Sequence, residues 1–449
     1  MAILIGVDEA GYGPNLGPLV VAATAWRVTQ GSEVSDRRSK KLERAAASPP
    51  AANATAALPA TAADAAIDLY ALLRDAVTAN PGTRRETEAA STALQKGTGA
   101  QPAASPAGSN AEESRASPVS QRGERLAIAD SKRLYKPGGG WRLLERGVLA
   151  ARALLAENGD RLSASSDHAE LIASLGADPH GARGALPWQH GDPVALPRDA
   201  AADDVLAAAK LLDAACASAG VQLLAIRARL VDPAEFNELV DRHGTKGAAL
   251  SHVTLSLVRQ MVDNATGTAD AATANLAPPP SQGGARGGSA NDATIARRLT
   301  VGESLPRPLP ARQGGHEVNC HDTVHITCDK HGGRNRYAGL LQHHFPDSWI
   351  DVLAEGRSAS RYAWQHAGAA CEACFRVGGE AVLPTALASM TAKYLRELAM
   401  HEFNAFWTAR VPGTKPTAGY PVDARRFKAQ IAAAQSDLGI DDRVIWRNR

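Results

Sequence analysis

The N-terminal stretch LIGVDEAGYGPNLGPLVVAAT, residues 4–24, constrains the fold more than any other part of the chain. An apolar run leads directly into two adjacent carboxylates, Asp8 and Glu9, and a second apolar run follows a turn rich in Gly, Pro and Asn. Short apolar runs separated by such residues are typical of strands joined by a turn. We therefore predict two antiparallel strands, residues 3–9 and 17–28.

Two long segments lack the composition of a packed core. Residues 30–122 are dominated by Ala, Ser, Thr, Pro and charged residues, and residues 265–318 are rich in Gly, Ala and Pro. Such segments bury too little apolar surface to offset the entropy of ordering them, which predicts two flexible inserts. The remaining residues, 1–29, 123–264 and 319–449, are enough for one domain with its own core.

Composition narrows the functional classes. The chain has 49 Lys+Arg and 47 Asp+Glu, a net charge of +2, so a nucleic-acid-binding face must be a local patch. The basic run at 37–44 is interpreted as a solvated charge cluster, with a nucleic-acid-binding arm as the alternative. Five cysteines do not suggest a disulfide framework. Without a signal-like N-terminus or a membrane-length apolar run, we expect a cytoplasmic protein with no membrane partner.

The rest of the chain interleaves strand and helix patterns, which predicts a mixed α/β class. In residues 323–329, Val324, Ile326 and Cys328 alternate with polar residues, as on a half-buried strand. Helices are predicted at residues 63–77, 141–157, 203–218, 235–240, 250–263, 383–409 and 422–434, and further strands at 126–130, 221–230, 349–354 and 371–377.

The adjacent carboxylates Asp8 and Glu9 are the first candidate site. Two neighbouring carboxylates repel each other when both are ionised, and a divalent cation removes that cost. Hard oxygen ligands suit Mg²⁺ or Mn²⁺. The alternative is an ordinary acidic turn. Consecutive strand residues face opposite ways, so both can serve one site only where the strand ends.

Four motifs, in order, resemble those of the type 2 ribonucleases H, the ribonuclease HII/HIII group. GVDEAGYG at 6–13 is similar to D-E-[AS]-G-[RK]-G, and DSKRL at 130–134 is similar to D-S-K-x-L. The strand ending at Asp329 resembles the one that supplies the family's third carboxylate. ASMTAKYLRE at 388–397 resembles the A-S-I-x-A-K-x-x-R-D helix, and GTKPTAGYP at 413–421 is a weaker fifth match.

The resemblance implies a ribonuclease H-like α/β fold: a central mixed β-sheet flanked by helices, here with two low-complexity inserts. It implies a metal-dependent endonuclease that hydrolyses the RNA strand of RNA/DNA hybrids, or cuts at ribonucleotides in duplex DNA. The products would carry 3′-hydroxyl and 5′-phosphate ends. Two alternatives stay open: a nuclease of the same fold with another nucleic-acid substrate, and a nucleic-acid-binding protein with weak or no catalysis.

The resemblance also assigns residues. Asp8, Glu9, Asp329 and Glu397 would hold two Mg²⁺ or Mn²⁺ ions, about 4 Å apart in such sites. Asp322 and Asp351 are rivals for the third position. The expected substrate-binding residues are Gly11, Tyr12 and Gly13 at the ribose 2′-hydroxyl, Lys132 at a backbone phosphate, Lys393 as a phosphate or carboxylate partner, and Tyr420 for stacking.

Two positions depart from the family pattern. Tyr12 stands where the family has a basic residue, and Glu397 stands where it has Asp. Ser389, Lys393 and Glu397 line one stripe of the predicted helix at i, i+4 and i+8, and a bland alternative is a surface Lys393–Glu397 pair.

Other candidate ligands give weaker signals. Cys371 and Cys374 could join a zinc site, but Cys320 and Cys328 are poorly spaced to complete it. His343 and His344 are expected on a solvated surface.

Overall fold

The computed structural model describes residues 1–29, 67–81, 125–136, 139–155, 166–178, 186–191, 194–267 and 323–448. The basic run at 37–44, Asp322 and Cys320 lie outside these residues.

The strands are β1 (Ala2–Ala10), β2 (Leu19–Val28), β3 (Val77–Thr78), β4 (Leu126–Ala127), β5 (Ser166–Asp167), β6 (Ala195–Leu196), β7 (Val221–Val231), β8 (Thr323–Asp329), β9 (Asp351–Glu355), β10 (Ala359–His366) and β11 (Ala369–Arg376). The helices are α1 (Leu69–Leu72), α2 (Ser131–Leu134), α3 (Arg142–Ala153), α4 (His168–Ser174), α5 (Ala202–Ala219), α6 (Pro233–His243), α7 (Lys246–Thr266), α8 (Ala338–His344), α9 (Leu383–Arg410), α10 (Pro421–Asp437) and α11 (Asp442–Ile445), with 3₁₀ turns at Pro187–His190 and Gly379–Ala381.

A seven-stranded mixed sheet forms the centre, in the order β7-β2-β1-β8-β11-β10-β9. The predicted antiparallel pairing of β1 with β2 is confirmed, and β1 pairs on its other side in parallel with β8. The alternating pattern predicted β8 correctly, since Val324, Ile326 and Cys328 are its buried residues.

Helices cover both faces of the sheet, so the mixed α/β class and the flanked central sheet are confirmed. On β1, Leu4 packs into the cluster formed with α3, α5 and α9, whereas Ile3, Ile5 and Val7 pack against α6, α7 and α8. The helix α9 crosses β1 at Gly6, where an added Cβ would lie 2.1 Å from the backbone nitrogen of Thr385. The close approach of helix to sheet therefore depends on glycine at this position.

Part of the first predicted insert belongs to the fold. The helix expected at 63–77 is only α1, capped by Asp68, and the chain continues into β3, which pairs in parallel with β4. Leu69, Leu73 and Val77 are buried in the core on the α9 side of the sheet, and their burial anchors this segment.

Other elements differ from the sequence expectation. The strand expected at 126–130 is limited to the two residues of β4, because Asp130 instead caps α2 by accepting from the Lys132 amide (3.0 Å). The strand β10 and the helix α8 were not predicted. Ser360 is fully buried in β10, which obscures the apolar pattern there. Among the described helices, none combines the length and apolar character needed to cross a membrane.

Candidate active site

Three of the predicted carboxylates meet at one end of the central strand pair. The parallel register of β1 and β8 ends at Val7 opposite Cys328, so the next residues, Asp8 and Asp329, adjoin across the two strands. The Ser389 hydroxyl on α9 hydrogen-bonds the carboxyl of Asp8. β1 continues to Ala10, yet Glu9 is still coupled electrostatically to Asp8 and Asp329. The structure therefore brings Asp8, Glu9 and Asp329 together.

The carboxylates at this site carry more negative charge than the nearby cation neutralises. Burial raises the pKa of Asp8 to about 7, with further contributions from Asp329 and Glu380, while the Ser389 hydrogen bond opposes the shift. Burial, Asp8 and Asp329 raise the pKa of Glu9 to about 8, and Lys132 opposes. Both carboxyls keep some solvent contact. Such a group either keeps protons or needs a cation, and oxygen ligands of this kind fit Mg²⁺ or Mn²⁺.

A fourth carboxylate, Glu380, was missed from the sequence. It lies on the 3₁₀ turn Gly379–Ala381, which packs on the end of β8: the Gly379 amide donates to Asp329 Oδ1 (3.1 Å). An added Cβ at Gly379 would lie 3.0 Å from the Asp329 nitrogen, so glycine permits this approach. Its charge raises the pKa values of both Asp8 and Lys132. The sequence feature that could have identified Glu380 is its position directly after two glycines and just before the long helix.

Glu397 occupies a different place. It lies eight residues beyond Ser389 on α9, which corresponds to about 12 Å along a helix. Its carboxylate is ion-paired with Lys393 and accepts a hydrogen bond from the Tyr135 hydroxyl (2.9 Å). The expected fourth metal carboxylate is thus corrected: Glu380, and not Glu397, adjoins Asp8. Ser389 and Glu397 lie on one stripe of α9, but two side chains on one stripe can still be too far apart along the helix to contact the same site.

Lys393 contacts the same two residues, Glu397 and Tyr135. Its amine is ion-paired with Glu397 and lies 4.5 Å above the centre of the Tyr135 ring. Burial lowers the pKa of Lys393, and the Glu397 charge partly offsets this. These contacts anchor Tyr135, which follows α2, and they occupy the amine that was expected to contact a phosphate or a carboxylate.

Lys132 places a positive charge close to the carboxylates. Burial opposes its charge, but Asp130, Asp8, Glu380 and Asp329 together raise the pKa of Lys132. Its neighbour Ser131 contacts Ser389 on α9, with the two Oγ atoms 3.1 Å apart. The DSK segment is therefore positioned against the same helix as Asp8.

The rival third carboxylate Asp351 is remote from this group. It begins β9, the edge strand, and lies three strands away from β8 in the sheet order. Neighbouring strands are about 4.8 Å apart, so the separation is on the order of 14 Å. This geometry favours Asp329, as the sequence reasoning did.

The glycine loop and the C-terminal GY segment form one surface beside the carboxylates. The Asn15 amide donates to the Gly419 carbonyl (2.7 Å), and an added Cβ at Gly13 would contact the Tyr420 ring at 3.8 Å. Buried Arg447 supports the loop by donating to the carbonyl of Gly11 (2.5 Å). Gly11, Gly13 and the half-exposed Tyr420 are thus brought together, although they lie at opposite ends of the sequence.

Tyr12 stands where the motif has a basic residue, but a lysine side chain lies over its ring. Lys246, at the start of α7, places its Nζ 4.7 Å from the centre of the Tyr12 ring. Burial and the nearby Glu9 raise the pKa of Tyr12, so its hydroxyl is neutral at physiological pH. An adjacent cavity of about 170 Å³ is lined by Tyr12, Gly13, Pro14, Asn15, Phe236, Lys246, Pro421, Arg447 and Asn448.

The cysteine pair does not form a shared metal site. Cys371 is buried on the face of β11 that packs against α7, and Cys374, three residues later, lies on the opposite face. The two thiols therefore cannot hold one ion without rearrangement of the strand.

Neither protein-family models nor curated protein sequences give a match to this chain. The chemistry of the site rests on its own residues. These are four carboxylates around the ends of β1 and β8, one cation at their edge, and a tyrosine- and glycine-lined surface beside them.

Proposed function

We propose that this chain is a divalent-metal-dependent endonuclease with a ribonuclease H-like fold. It would hydrolyse the RNA strand of RNA/DNA hybrids, or cut at ribonucleotides embedded in duplex DNA, and leave 3′-hydroxyl and 5′-phosphate ends. One observation carries the proposal: Asp8, Glu9, Asp329 and Glu380 form a partly buried group in which burial, together with the neighbouring carboxylates, raises the pKa values of Asp8 and Glu9. Such a group is expected where the ordinary ligand is a cation.

The donor set suits the proposed cofactor. Carboxylate oxygens are the ligands preferred by Mg²⁺ and Mn²⁺. When bound, two such cations supply an activated water and neutralise charge on the leaving oxygen. Asp8, Glu9, Asp329 and Glu380 would hold them. Ser389 orients Asp8 through its hydrogen bond, and Lys132, whose charge acts on the same carboxylates, would contact a backbone phosphate.

Recognition of the ribonucleotide is assigned to the surface beside the carboxylates. The backbone of the Gly11–Gly13 loop is supported by Arg447, so its groups are held in place for contact with a 2′-hydroxyl, the group that distinguishes RNA from DNA. Tyr420 is 55% exposed next to Gly13, which leaves its ring free to stack on a sugar or base.

The Tyr12 departure is compensated in this chain. A basic residue at this position would contact a backbone phosphate, and Lys246 supplies a positive charge above the Tyr12 ring instead. The cation is therefore supplied by α7 instead of the glycine loop, which keeps the surface attractive to a nucleic-acid backbone. This supports nucleic-acid binding, which the nuclease proposal requires.

The test uses three labelled duplexes with Mg²⁺ or Mn²⁺: a full RNA/DNA hybrid, a DNA duplex with one ribonucleotide, and an all-DNA duplex. The expected result is cleavage of one or both ribonucleotide-containing duplexes, none of the all-DNA duplex, and loss of cleavage with Asp8→Asn. Asp351→Asn, on the edge strand, is the matched control and should retain activity.

Three results would contradict the proposal. Cleavage of the all-DNA duplex at an equal rate would remove ribonucleotide selectivity. Binding of all duplexes without cleavage would favour a nucleic-acid-binding protein. Cleavage that survives Asp8→Asn would show that the assigned carboxylates are not the active site.

A further inference from the structure

Four histidines cluster on the helical layer that covers the sheet face opposite α9. His243 is the last residue of α6, His252 lies on α7, and His343 and His344 end α8. The ring centres of His252 and His344 are 5.0 Å apart, and those of His243 and His252 are 4.5 Å apart. The sequence reasoning expected both His343 and His344 on a solvated surface; His343 is exposed, but His344 is partly buried within the cluster.

The geometry of three of these rings suits one metal ion. A ligand nitrogen from each of His252, His343 and His344 lies within 4.8 Å of the others. Nitrogens bound to one tetrahedral zinc at about 2.0–2.1 Å are roughly 3.4 Å apart. Small side-chain rotations, about 1 Å at each nitrogen, would close the difference. Because His343 is exposed, an ion can reach the cluster from solvent.

Two ring nitrogens in the cluster lack a hydrogen-bond partner among the described residues. His344 Nε2 and His243 Nε2 are both buried, and neither makes a hydrogen bond within the part of the chain that the structure describes. A buried polar atom without a partner costs free energy, so such atoms are rare and usually face a ligand or water. The two atoms come from different helices, α8 and α6, and both belong to rings of the cluster.

The charge state of the rings is compatible with a cation. Burial lowers the pKa of His252 to about 4 and that of His344 to about 3, so both rings are neutral at physiological pH. Arg242 and Arg259 are the cations nearby. Arg259 is bonded to Asp263 at 2.8 Å, which offsets its charge.

We infer that His252, His343 and His344 form a site for a divalent transition metal of the zinc class, with the ring of His243 lying beside that of His252. Imidazole nitrogen is a borderline ligand that favours Zn²⁺ over Mg²⁺, so this site and the carboxylate group would select different ions. The ion would join α7 and α8 by direct bonds, and three imidazoles would leave a fourth coordination position open to water or another ligand.

The experiment measures Zn²⁺ binding to the untagged full chain by competition with a chromogenic chelator. Asp8→Asn serves as the background, because it disables the carboxylate group. In that background His343→Ala should weaken Zn²⁺ affinity at least tenfold, since loss of even an outer-shell partner costs about 10–100-fold. His343 is exposed, so the variant should fold. The matched control is His190→Ala, which removes an exposed histidine outside the cluster.

Thermal unfolding supplies a second readout. Zn²⁺ should raise the melting temperature of the Asp8→Asn protein and of its His190→Ala derivative, but not that of its His343→Ala derivative. Two results would overturn the site: no Zn²⁺ binding in the Asp8→Asn background, or equal affinity and equal thermal response with and without His343.

Discussion

Ser389 Oγ lies 3.1 Å from Ser131 Oγ, although 258 residues separate them in the sequence. The same Ser389 hydroxyl hydrogen-bonds the carboxyl of Asp8. One side chain on α9 therefore joins three sequence motifs: the acidic strand tip, the DSK segment and the long helix. This contact positions Asp8 and Lys132 relative to each other.

Ser389→Ala should therefore weaken the site without unfolding the protein. Loss of the hydrogen bond to an ionised Asp8 costs about 1.5 kcal/mol, which corresponds to roughly tenfold in metal affinity or cleavage rate. The measurement is the cleavage rate as a function of Mg²⁺ concentration. Thr408→Ala, far along the same helix, is the control. Unchanged Mg²⁺ dependence in Ser389→Ala would show that this contact does not position Asp8.

Glu380 and Glu397 provide a direct comparison between two candidate metal carboxylates. Glu380→Gln should lower cleavage on the order of a hundredfold, as the loss of a preorganised electrostatic group does. Glu397→Gln should keep Mg²⁺ binding, because this carboxylate contacts Lys393 and Tyr135 instead. Single-turnover cleavage and Mg²⁺ titration would separate the two. The reverse order of effects would restore Glu397 to the metal site.

The stability of the metal-free protein should depend on pH through Asp8 and Glu9. Their pKa values rise from 3.8 to about 7 and from 4.5 to about 8 in the folded state. The folded state thus holds protons that the unfolded state has released, so the free energy of unfolding falls as pH rises toward 8. Buried His331 and His344 have lowered pKa values and act in the opposite direction below about pH 6.5.

The measurement is urea unfolding in a chelator at several pH values between about 6.5 and 8, where the carboxyls dominate. The control is the double variant Asp8→Asn/Glu9→Gln, which should lose the downward slope. Added Mg²⁺ should reverse the slope of the native protein, because the ion binds the deprotonated carboxylates. A native profile that rises with pH in the chelator would contradict the burial assigned to this pair.

Lys246 should contribute to nucleic-acid binding in place of the missing basic residue at Tyr12. Lys246→Ala should weaken duplex binding and reduce the slope of affinity against salt concentration by about one ion. The measurement is duplex affinity over a range of salt. Lys210→Ala, on an exposed position of α5, should leave the slope unchanged. Equal slopes for native protein and Lys246→Ala would remove this residue from the interface.

Gly419 should be intolerant of a side chain, and Gly413 provides the matched control. Both have positive φ, +82° and +84°, but an added Cβ at Gly419 would lie 2.5 Å from the Leu16 carbonyl oxygen, whereas Gly413 has open space around it. Left-handed backbone costs a residue with a Cβ roughly 1–2 kcal/mol. Urea unfolding should show that cost for Gly413→Ala and a clearly larger one for Gly419→Ala. Equal losses of stability in the two variants would mean that the Gly419 loop can move away from Leu16 without an added cost.

The contrast between β8 and β10 shows where local patterns suffice. Strand β8 was predicted in full because its buried residues alternate strictly with polar ones. In β10, Ser360 is buried in the core. Its burial is tolerated because its hydroxyl donates a hydrogen bond to the Asn335 carbonyl (2.6 Å). A polar residue satisfied by a distant backbone group cannot be distinguished from a solvent-facing one by periodicity alone.

The sequence by itself determined the strand tip at Asp8 and Glu9, the alternation that ends at Asp329 and the single stripe of Ser389, Lys393 and Glu397, since period and turn chemistry are local properties. Only the tertiary structure decided which carboxylates meet. The register of β1 on β8 joins Asp8 to Asp329, and the turn after β11 delivers Glu380. Electrostatic coupling depends on distance through space, and that distance is set by the packing of segments far apart in the chain.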